Sequence, residues 1–235
     1  MQVLEKLYEG KAKIVYATDD PDVVLQEFKD SATAGDGAKK GTIADKGRMN
    51  AAISAKLFTL LEENGVKTHF RGLQGDHAMF IARLDMLKVE CVARNIAAGS
   101  LSQRIGYPEG KELKQPIVEF YLKDDALHDP LITCQHIQEL GLLTDEQFAR
   151  LKEQALKVND VLRTFFLERG LLLVDFKLEF GLDSAGELVL GDEISPDTCR
   201  LWDAETHEKL DKDRFRRDLG GVEEAYQEIV RRIGA

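Results

Sequence analysis

The run Val174-Asp175-Phe176-Lys177-Leu178-Glu179-Phe180 decides the fold class of this chain. Charged and apolar residues alternate along it, which is typical of a β-strand with two unlike faces. Asp175, Lys177 and Glu179 are therefore expected to share one face. The opposite face is expected to pack against a helix, and it consists of Val174, Phe176, Leu178 and Phe180.

A second β-rich segment follows at 187–193, after a short turn. A tight turn with an even number of loop residues would place residue 179 opposite 190. Residue 177 would then face 192, so Asp192 would lie diagonal to Glu179, about 7–8 Å away at the backbone. Two carboxylates at that spacing could hold one hard cation. A solvated face of alternating charges is the alternative, and a one-residue bulge would break the register.

The rest of the sequence mixes helices with strands that often follow one another directly. A capping box of Thr144 and Gln147 opens the clearest helix, and a second helix is expected over 43–64. This mixture predicts an α+β fold rather than a doubly wound parallel sheet. We divide the chain into a β-rich lobe, 1–86, and a larger lobe, 87–235. Other strands are expected at 11–16, 23–28, 68–73, 78–84, 88–94 and 117–123.

Composition limits the classes of partner. The chain has 235 residues and a formal net charge of −10. A surface of that charge repels polyanions on average, so we expect neither a nucleic-acid partner nor a membrane. Three cysteines without a CxxC pair, and a first segment without a long apolar run, favour a cytoplasmic protein.

Two glycine-containing segments could contact phosphate groups. A turn at Glu9-Gly10 precedes Lys11 and Lys13, so backbone amides and two ammonium groups could meet an anion there. The segment 30–41 is expected to be a loop that closes on a ligand. A solvated edge strand and an exposed linker are the respective alternatives.

Two further segments carry arginines suited to anions. Arg94 is followed by Ser100, which could sit at a helix N-terminus, although an ordinary helix cap is the alternative. The polar segment 193–203 is expected to be a loop lining the site, with Arg200 binding a phosphate or carboxylate through two hydrogen bonds. Trp202 in the same segment is expected to pack rather than react.

Together these segments resemble the SAICAR synthetase family. The most specific match combines the Asp-Phe-Lys-Leu-Glu-Phe-Gly run at 175–181 with Ser-Pro-Asp-x-x-Arg-Leu-Trp at 195–202. The chain lacks the carboxylase domain of the fused family members, so a monofunctional enzyme is expected. The other matching stretches are 7–13, 34–38, 84–100, 120–130 and 211–216.

The resemblance implies a two-lobed, ATP-grasp-like fold with the active site in the cleft between the lobes. It implies a ligase in which ATP phosphorylates the carboxylate of CAIR, an aminoimidazole ribonucleotide. The amine of L-aspartate then displaces phosphate to give SAICAR, a step of purine biosynthesis. Mg²⁺ is the implied cofactor with ATP as co-substrate, and a homodimer is one candidate assembly.

The resemblance also assigns roles to individual residues. The implied ATP contacts are Lys11, Ala12, Lys13, Arg83, Leu84, Asp85, Met86 and Lys123. The implied CAIR contacts are Arg94, Ser100, Asp175, Lys177 and Arg200, of which Asp175 and Lys177 are the catalytic candidates. Glu179 and Asp192 are the implied metal ligands, and Asp36 and Gly37 belong to a loop near the substrate.

Two other classes of function fit the residues without the resemblance. A small-molecule kinase would transfer phosphate to a hydroxyl and use no amine. A nucleotide-binding regulator would bind ATP without consuming it. Release of ADP that depends on aspartate separates the ligase from both.

Overall fold

Two antiparallel sheets line a common cleft. The structure is a computed structural model that describes residues 1–34 and 37–235. In chain order its elements are β1 (Val3–Glu9), β2 (Lys13–Thr18), β3 (Val23–Phe28), β4 (Ser31–Ala34), β5 (Lys39–Thr42), α1 (Lys46–Glu63), β6 (Phe70–Gln74), β7 (Ala78–Ala82), β8 (Asp85–Ile96), α2 (Gly99–Ile105), β9 (Glu112–Leu122), a short 3₁₀ helix (Asp125–Leu127), β10 (Leu131–Ile132), α3 (Cys134–Glu139), α4 (Asp145–Leu167), β11 (Leu171–Leu182), β12 (Leu188–Leu190), β13 (Cys199–Asp203), α5 (Asp213–Arg216) and α6 (Val222–Ile233).

The order of the strands explains how the cleft is built. The first sheet has the order β1-β2-β3-β7-β6, and the second has the order β10-β9-β8-β11-β12, with β13 also paired to β11. Both sheets are antiparallel, and one parallel bridge between Thr68 and Leu190 links their edges. Antiparallel sheets combined with helices are what the predicted α+β class requires.

Helix α4 forms where the sequence predicts it. Thr144 Oγ1 accepts a hydrogen bond from the Gln147 amide at 3.2 Å, and Gln147 Oε1 accepts one from the Thr144 amide at 2.9 Å. The buried face of the helix includes Leu151, Ala155 and Leu162. Although α4 has 23 residues, no helix within the described ranges is both long and apolar enough to cross a membrane.

Helix α1 lies within the predicted range 43–64 and buries Ile53, Leu57 and Leu61. It ends at Gly65, which has φ 73° and donates its amide to the Glu62 carbonyl at 2.9 Å. Glycine adopts this left-handed conformation without a steric penalty, so it suits the end of a helix.

One apolar core is shared by both sheets and both long helices. It includes Phe176, Leu178 and Phe180 of β11, which confirms that this side of the strand is buried. The predicted lobe boundary between residues 86 and 87 falls inside β8. The core is therefore continuous across the point at which we divided the sequence.

The predicted face of Val174 is wrong. Val174 packs with Ile96, Ala98 and Trp202 in a second, smaller apolar cluster. The pairing of β11 with β13 is irregular between Leu173 and Asp175, which is the signature of a β-bulge. The extra residue reverses the alternation, so Val174 and its charged neighbour point to the same side of the sheet.

The predicted register of the hairpin is also wrong. Phe180 lies opposite Leu190, one residue away from the predicted partner, and β12 ends there. Leu182 pairs with Leu188, so the loop between the two strands has an odd number of residues, whereas the predicted register requires an even number. Asp192 lies beyond the strand with φ 60°, so a turn in the backbone, and not the ladder, sets its direction.

Two predicted loops contain strands. The segment 30–41 includes β4 and β5, which form an antiparallel hairpin. The segment 193–203 includes β13, which pairs with β11. These three strands are short, four or five residues each, and none shows a sustained alternation of apolar and polar residues, so the sequence did not reveal them. Trp202 is buried in β13, as expected for a packing residue.

Candidate active site

A cleft of about 820 Å³ lies between the two sheets. Most of the predicted nucleotide and metal residues line it, since β2, the β7–β8 connection and β11 all border the same space. Asp85 does not line it, and Asp36 lies outside the described residues. The predicted residues that do line it are Lys11, Ala12, Lys13, Gly37, Arg83, Leu84, Met86, Lys123, Lys177, Glu179 and Asp192.

A cluster of alternating charges occupies the centre of the cleft. Lys177 Nζ forms ion pairs with Glu179 and, at 3.2 Å, with Asp192 Oδ2. Lys13 pairs with Asp192 from the first sheet, and Lys123 pairs with Glu179 from the end of β9. The two predicted metal ligands therefore meet at one cation, although the predicted ladder register does not bring them together.

Mutual pairing favours the charged forms of Asp192 and Lys177. Burial disfavours the charged form of Asp192, but the ammonium groups of Lys13 and Lys177 outweigh it and hold the pKa of that carboxyl well below its usual range. The pKa of Lys177 is raised because Asp192, Glu179 and Glu90 outweigh its burial. Glu90 was not singled out from the sequence, and its Oε2 lies 3.8 Å from Lys177 Nζ.

The predicted phosphate turn is present at the entrance of the cleft. The Gly10 amide donates to the Lys13 carbonyl at 2.8 Å, which closes the turn between β1 and β2. Lys11 projects from it and lies 3.6 Å from Asp125 on the opposite side. Because both side chains are largely exposed, the Lys11–Asp125 pair contributes little to stability and leaves Lys11 free to meet an anionic ligand.

Asp175 joins the predicted CAIR residues beside the cleft. Arg94 Nη1 donates to Asp175 Oδ2 at 2.7 Å, and Arg200 Nη1 donates to the same oxygen at 2.9 Å. Arg94 Nη2 lies 3.3 Å from Ser100 Oγ. Asp175 is only 3% exposed. These four residues lie beside the main cleft and do not line it; they are Arg94, Ser100, Asp175 and Arg200.

A second carboxylate, Glu119, fixes the outer side of this arginine cluster. It accepts from Arg94 Nε at 2.7 Å and from Tyr121 Oη at 2.8 Å, and it also pairs with Arg104. Glu119 and Tyr121, which both contact Arg94, were not predicted from the sequence, and neither was Arg104. No motif in the sequence marks these residues. Only the pairing of β8 with β9 brings Glu119 and Tyr121 to Arg94.

His69 lies at the inner wall of the cleft. It is 2% exposed, and its Nε2 has no hydrogen-bond partner among the described residues. Burial lowers the pKa of His69 to about 3, so the imidazole is neutral at physiological pH. His69 was not predicted as a site residue, because the histidines of the sequence form no metal-spaced cluster.

A buried network supports the loop that follows Asp192. Lys46 Nζ donates to Asp197 Oδ2 at 2.8 Å, and Tyr226 Oη donates to Asp197 Oδ1 at 2.6 Å. Ser54 Oγ donates to the Ile194 carbonyl at 3.1 Å from the same helix as Lys46. Helices α1 and α6 thus hold this loop against the cleft.

The combination of two sheets, a lysine-lined cleft and paired carboxylates fits what the resemblance implied. The family model described as SAICAR synthetase matches residues 6–233. This chain belongs to the SAICAR synthetase family.

Members of the SAICAR synthetase family match the chain over its full length. Phosphoribosylaminoimidazole-succinocarboxamide synthase of Chlorobium chlorochromatii is 61% identical over 233 residues, covering 99% of each chain. The enzyme of the same name from Persephonella marina is 57% identical, covering 99% of this chain and 98% of the relative.

Solved SAICAR synthetase structures share the fold. One, a type-2 SAICAR synthetase in complex with ADP, has a TM-score of 0.95 and 52% identity, covering 97% of each chain. The enzyme of Ehrlichia chaffeensis has a TM-score of 0.96 and 44% identity, covering 98% of this chain and 99% of the other.

Proposed function

We propose that this chain joins L-aspartate to the carboxylate of CAIR in purine biosynthesis, consuming ATP and releasing SAICAR, ADP and phosphate. The observation that carries the proposal is the full-length match to the SAICAR synthetase family. The cleft supports it, because phosphoryl transfer and ligation need positioned charges more than a covalent nucleophile.

We assign ATP to the side of the cleft formed by the first sheet. Lys11 and Lys13 neutralise its phosphates, with Ala12 between them and Lys123 opposite. Arg83, Leu84 and Met86 lie where the chain passes from β7 to β8, and they bound the space for the adenine. Asp85 is the first residue of β8 and lies between Leu84 and Met86 in the chain. We keep it among the ATP contacts through its backbone atoms.

We assign CAIR to the space between Lys177 and the arginine cluster. Arg94, Ser100 and Arg200 bind its phosphate, and Lys177 faces the carboxylate that is activated. Both oxygens of Asp175 accept hydrogen bonds from Arg200, and one also accepts from Arg94. Asp175 therefore acts by positioning the two guanidinium groups. Gly37 lines the cleft, and the assignment of Asp36, which lies outside the described residues, stays a prediction from the resemblance.

The reaction proceeds in two steps in this assignment. An oxygen of the CAIR carboxylate attacks the terminal phosphorus of ATP, which forms an acyl phosphate and releases ADP. The aspartate amine then attacks the acyl carbon, the C–N bond forms as the nitrogen gives up a proton to solvent, and phosphate leaves with the electrons of the broken C–O bond. Lys177 favours the first step, since its ammonium orients the carboxylate and offsets its charge.

Glu179 and Asp192 fit a magnesium ion. Both are hard oxygen ligands, and both already contact one cation, the Lys177 ammonium. When bound, Mg²⁺ would offset the negative charge of the ATP phosphates.

Three further features belong to the proposal. The two sheets around one cleft support a two-lobed, ATP-grasp-like architecture. A cytoplasmic location and a homodimer stay predictions from the sequence and the resemblance. The oligomeric state can be measured on the purified protein and the location in cells. Neither result changes the assignment of the reaction.

An omission assay tests the function. Release of ADP is measured with ATP, CAIR, L-aspartate and Mg²⁺, and then with each of these left out in turn. The ligase requires all of them and yields SAICAR in equal amount to ADP. Equally fast release of ADP without aspartate would indicate a kinase and would overturn the proposal.

A further inference from the structure

Two glycines lie against the segment that we assign to the adenine. Gly181 is the last residue but one of β11, and Gly191 directly follows β12. Both are buried, and neither lines the cleft, whereas Leu84 and Met86 beside them do line it. These glycines can therefore affect a nucleotide in the cleft only through the segment 84–86.

The backbone does not require glycine at either position. Neither residue is among the glycines with positive φ. Gly181 lies in the regular ladder, opposite Met86 on one side and Val189 on the other. A residue with a side chain could adopt this backbone conformation, so the reason for glycine lies in the space around it.

At Gly181 that space is closed by the backbone of the segment 84–86. A β-carbon placed on Gly181 would lie 2.8 Å from Leu84 Cβ and 2.9 Å from the Asp85 carbonyl oxygen. Neither atom can rotate away, because one belongs to the main chain and the other is bonded directly to it. A side chain at Gly181 would therefore push the whole segment away from β11.

Gly191 faces the same two side chains from a second position. A β-carbon placed there would lie 3.3 Å from Leu84 Cδ1 and 3.3 Å from Met86 Cε. Both atoms are at the ends of flexible side chains, so they can yield by a few tenths of an ångström. A side chain at Gly191 is thus expected to disturb the segment less than one at Gly181.

The same two glycines adjoin the assigned metal ligands. Glu179 precedes Gly181 by two residues, and Asp192 follows Gly191 directly. The Gly191 amide donates to the Glu179 carbonyl at 2.9 Å, which ties the two stretches of chain together. The segment 84–86 therefore packs directly on the backbone that carries both carboxylates.

We propose that Gly181 and Gly191 are positioning residues for the nucleotide. By allowing close packing, they hold the segment 84–86 at the distance from the metal ligands that matches the span between the adenine and the phosphates of ATP. The inference rests on the proposed function. A side chain at Gly181 would displace the adenine contacts and leave Lys11 and Lys13 in place, because these lysines belong to the connection between β1 and β2 and to β2 itself.

Gly181→Ala, studied with two partial ligands, tests the inference. Adenosine carries the base without phosphates, and tripolyphosphate carries the phosphates without the base. We expect the inhibition constant of adenosine against ATP and the Kd of ADP, measured by calorimetry with Mg²⁺, to rise about tenfold or more. The inhibition constant of tripolyphosphate and the KM values for CAIR and L-aspartate should stay within about twofold.

Two further variants make the test specific. Gly191→Ala should give the same pattern with a smaller change, and it covers the case in which Gly181→Ala does not fold, as judged by thermal unfolding. Phe180→Leu is the matched control, because Phe180 lies on the same strand but faces the apolar core. It should lower stability and leave the ADP, adenosine and tripolyphosphate constants unchanged.

The outcomes separate the inference from the proposed function. Equal weakening of adenosine and tripolyphosphate would assign the effect to the metal ligands and overturn the inference, as would an unchanged Kd for ADP in Gly181→Ala. Wild-type enzyme that does not bind ADP, or that releases it without any requirement for aspartate, would overturn the proposed function itself. Normal wild-type behaviour with unaltered glycine variants overturns only the inference.

Discussion

Lys177 contacts both carboxylates that we assign to the metal. Its ammonium lies between Glu179 and Asp192, with Glu90 at 3.8 Å, and its neighbours on the strand belong to the core on the opposite side. A substitution at this residue therefore changes the charge of the cleft without creating a cavity in the core.

We expect Lys177→Ala to lower kcat by about a hundredfold or more while the protein stays folded, since a positioned charge on the reacting group is lost. Release of ADP with CAIR and aspartate measures the effect, and circular dichroism checks the fold. Lys152→Ala, on the exposed side of α4, is the matched control. Near-normal turnover of the Lys177 variant would contradict the placement of this residue at the reacting carboxylate.

His69 should make stability depend on pH. Burial lowers its pKa to about 3 in the folded protein, whereas the unfolded chain titrates near the ordinary value of 6.5. Between these values the unfolded state binds the extra proton. The contribution of this residue to the free energy of unfolding is therefore full above about pH 6.5 and is lost as the pH falls toward 3.

We expect His69→Gln to reduce the loss of stability between about pH 7 and about pH 5 by up to about 2 kcal/mol, from about 1.4 kcal/mol for each pH unit. Urea unfolding at both pH values measures the difference. Carboxylates such as Asp192 are present in both proteins, so their effects on the pH dependence of stability cancel in the comparison. Identical losses in the variant and the wild type would show that His69 is protonated without unfolding.

At the scale of single elements, the capping box of α4 offers a clean measurement. Thr144→Ala removes an N-cap and should destabilise the protein by about 1 kcal/mol without changing the KM of any substrate. Gln147→Ala should cost less than that, and the double variant should cost less than the sum, because the two hydrogen bonds are reciprocal. Additive losses, measured by urea unfolding, would mean that the two contacts are independent.

Strand β11 shows how far an element can be predicted from its own residues. Its charged face at Lys177 and Glu179 and its apolar face at Phe176 and Leu178 follow from local alternation, because each depends on neighbouring residues alone. The bulge at Val174 does not follow. A bulge depends on how the partner strand β13 pairs, and β13 itself was not recognised in the sequence.

At the scale of the whole molecule, one apolar core contains residues of both predicted lobes. Because the same core contains residues of both sheets, we expect one cooperative unfolding transition and not two. Fluorescence of Trp202, the single tryptophan, reports on the second sheet, and far-ultraviolet circular dichroism reports on both. The two curves should coincide in urea. Two separate midpoints would show that the first sheet unfolds independently.

The sequence by itself determined the α+β class, the long helices, the charged face of β11 and the resemblance to a family, because these depend on local periodicity and on motifs. Only the tertiary structure decided the direction of Asp192, the face of Val174, the hydrogen bonds of Asp175 to two arginines and the pairing of Lys46 with Asp197. Each joins residues on different elements or beyond the end of a strand. Their geometry depends on a bulge, a loop length and a left-handed residue, which alternation cannot reveal.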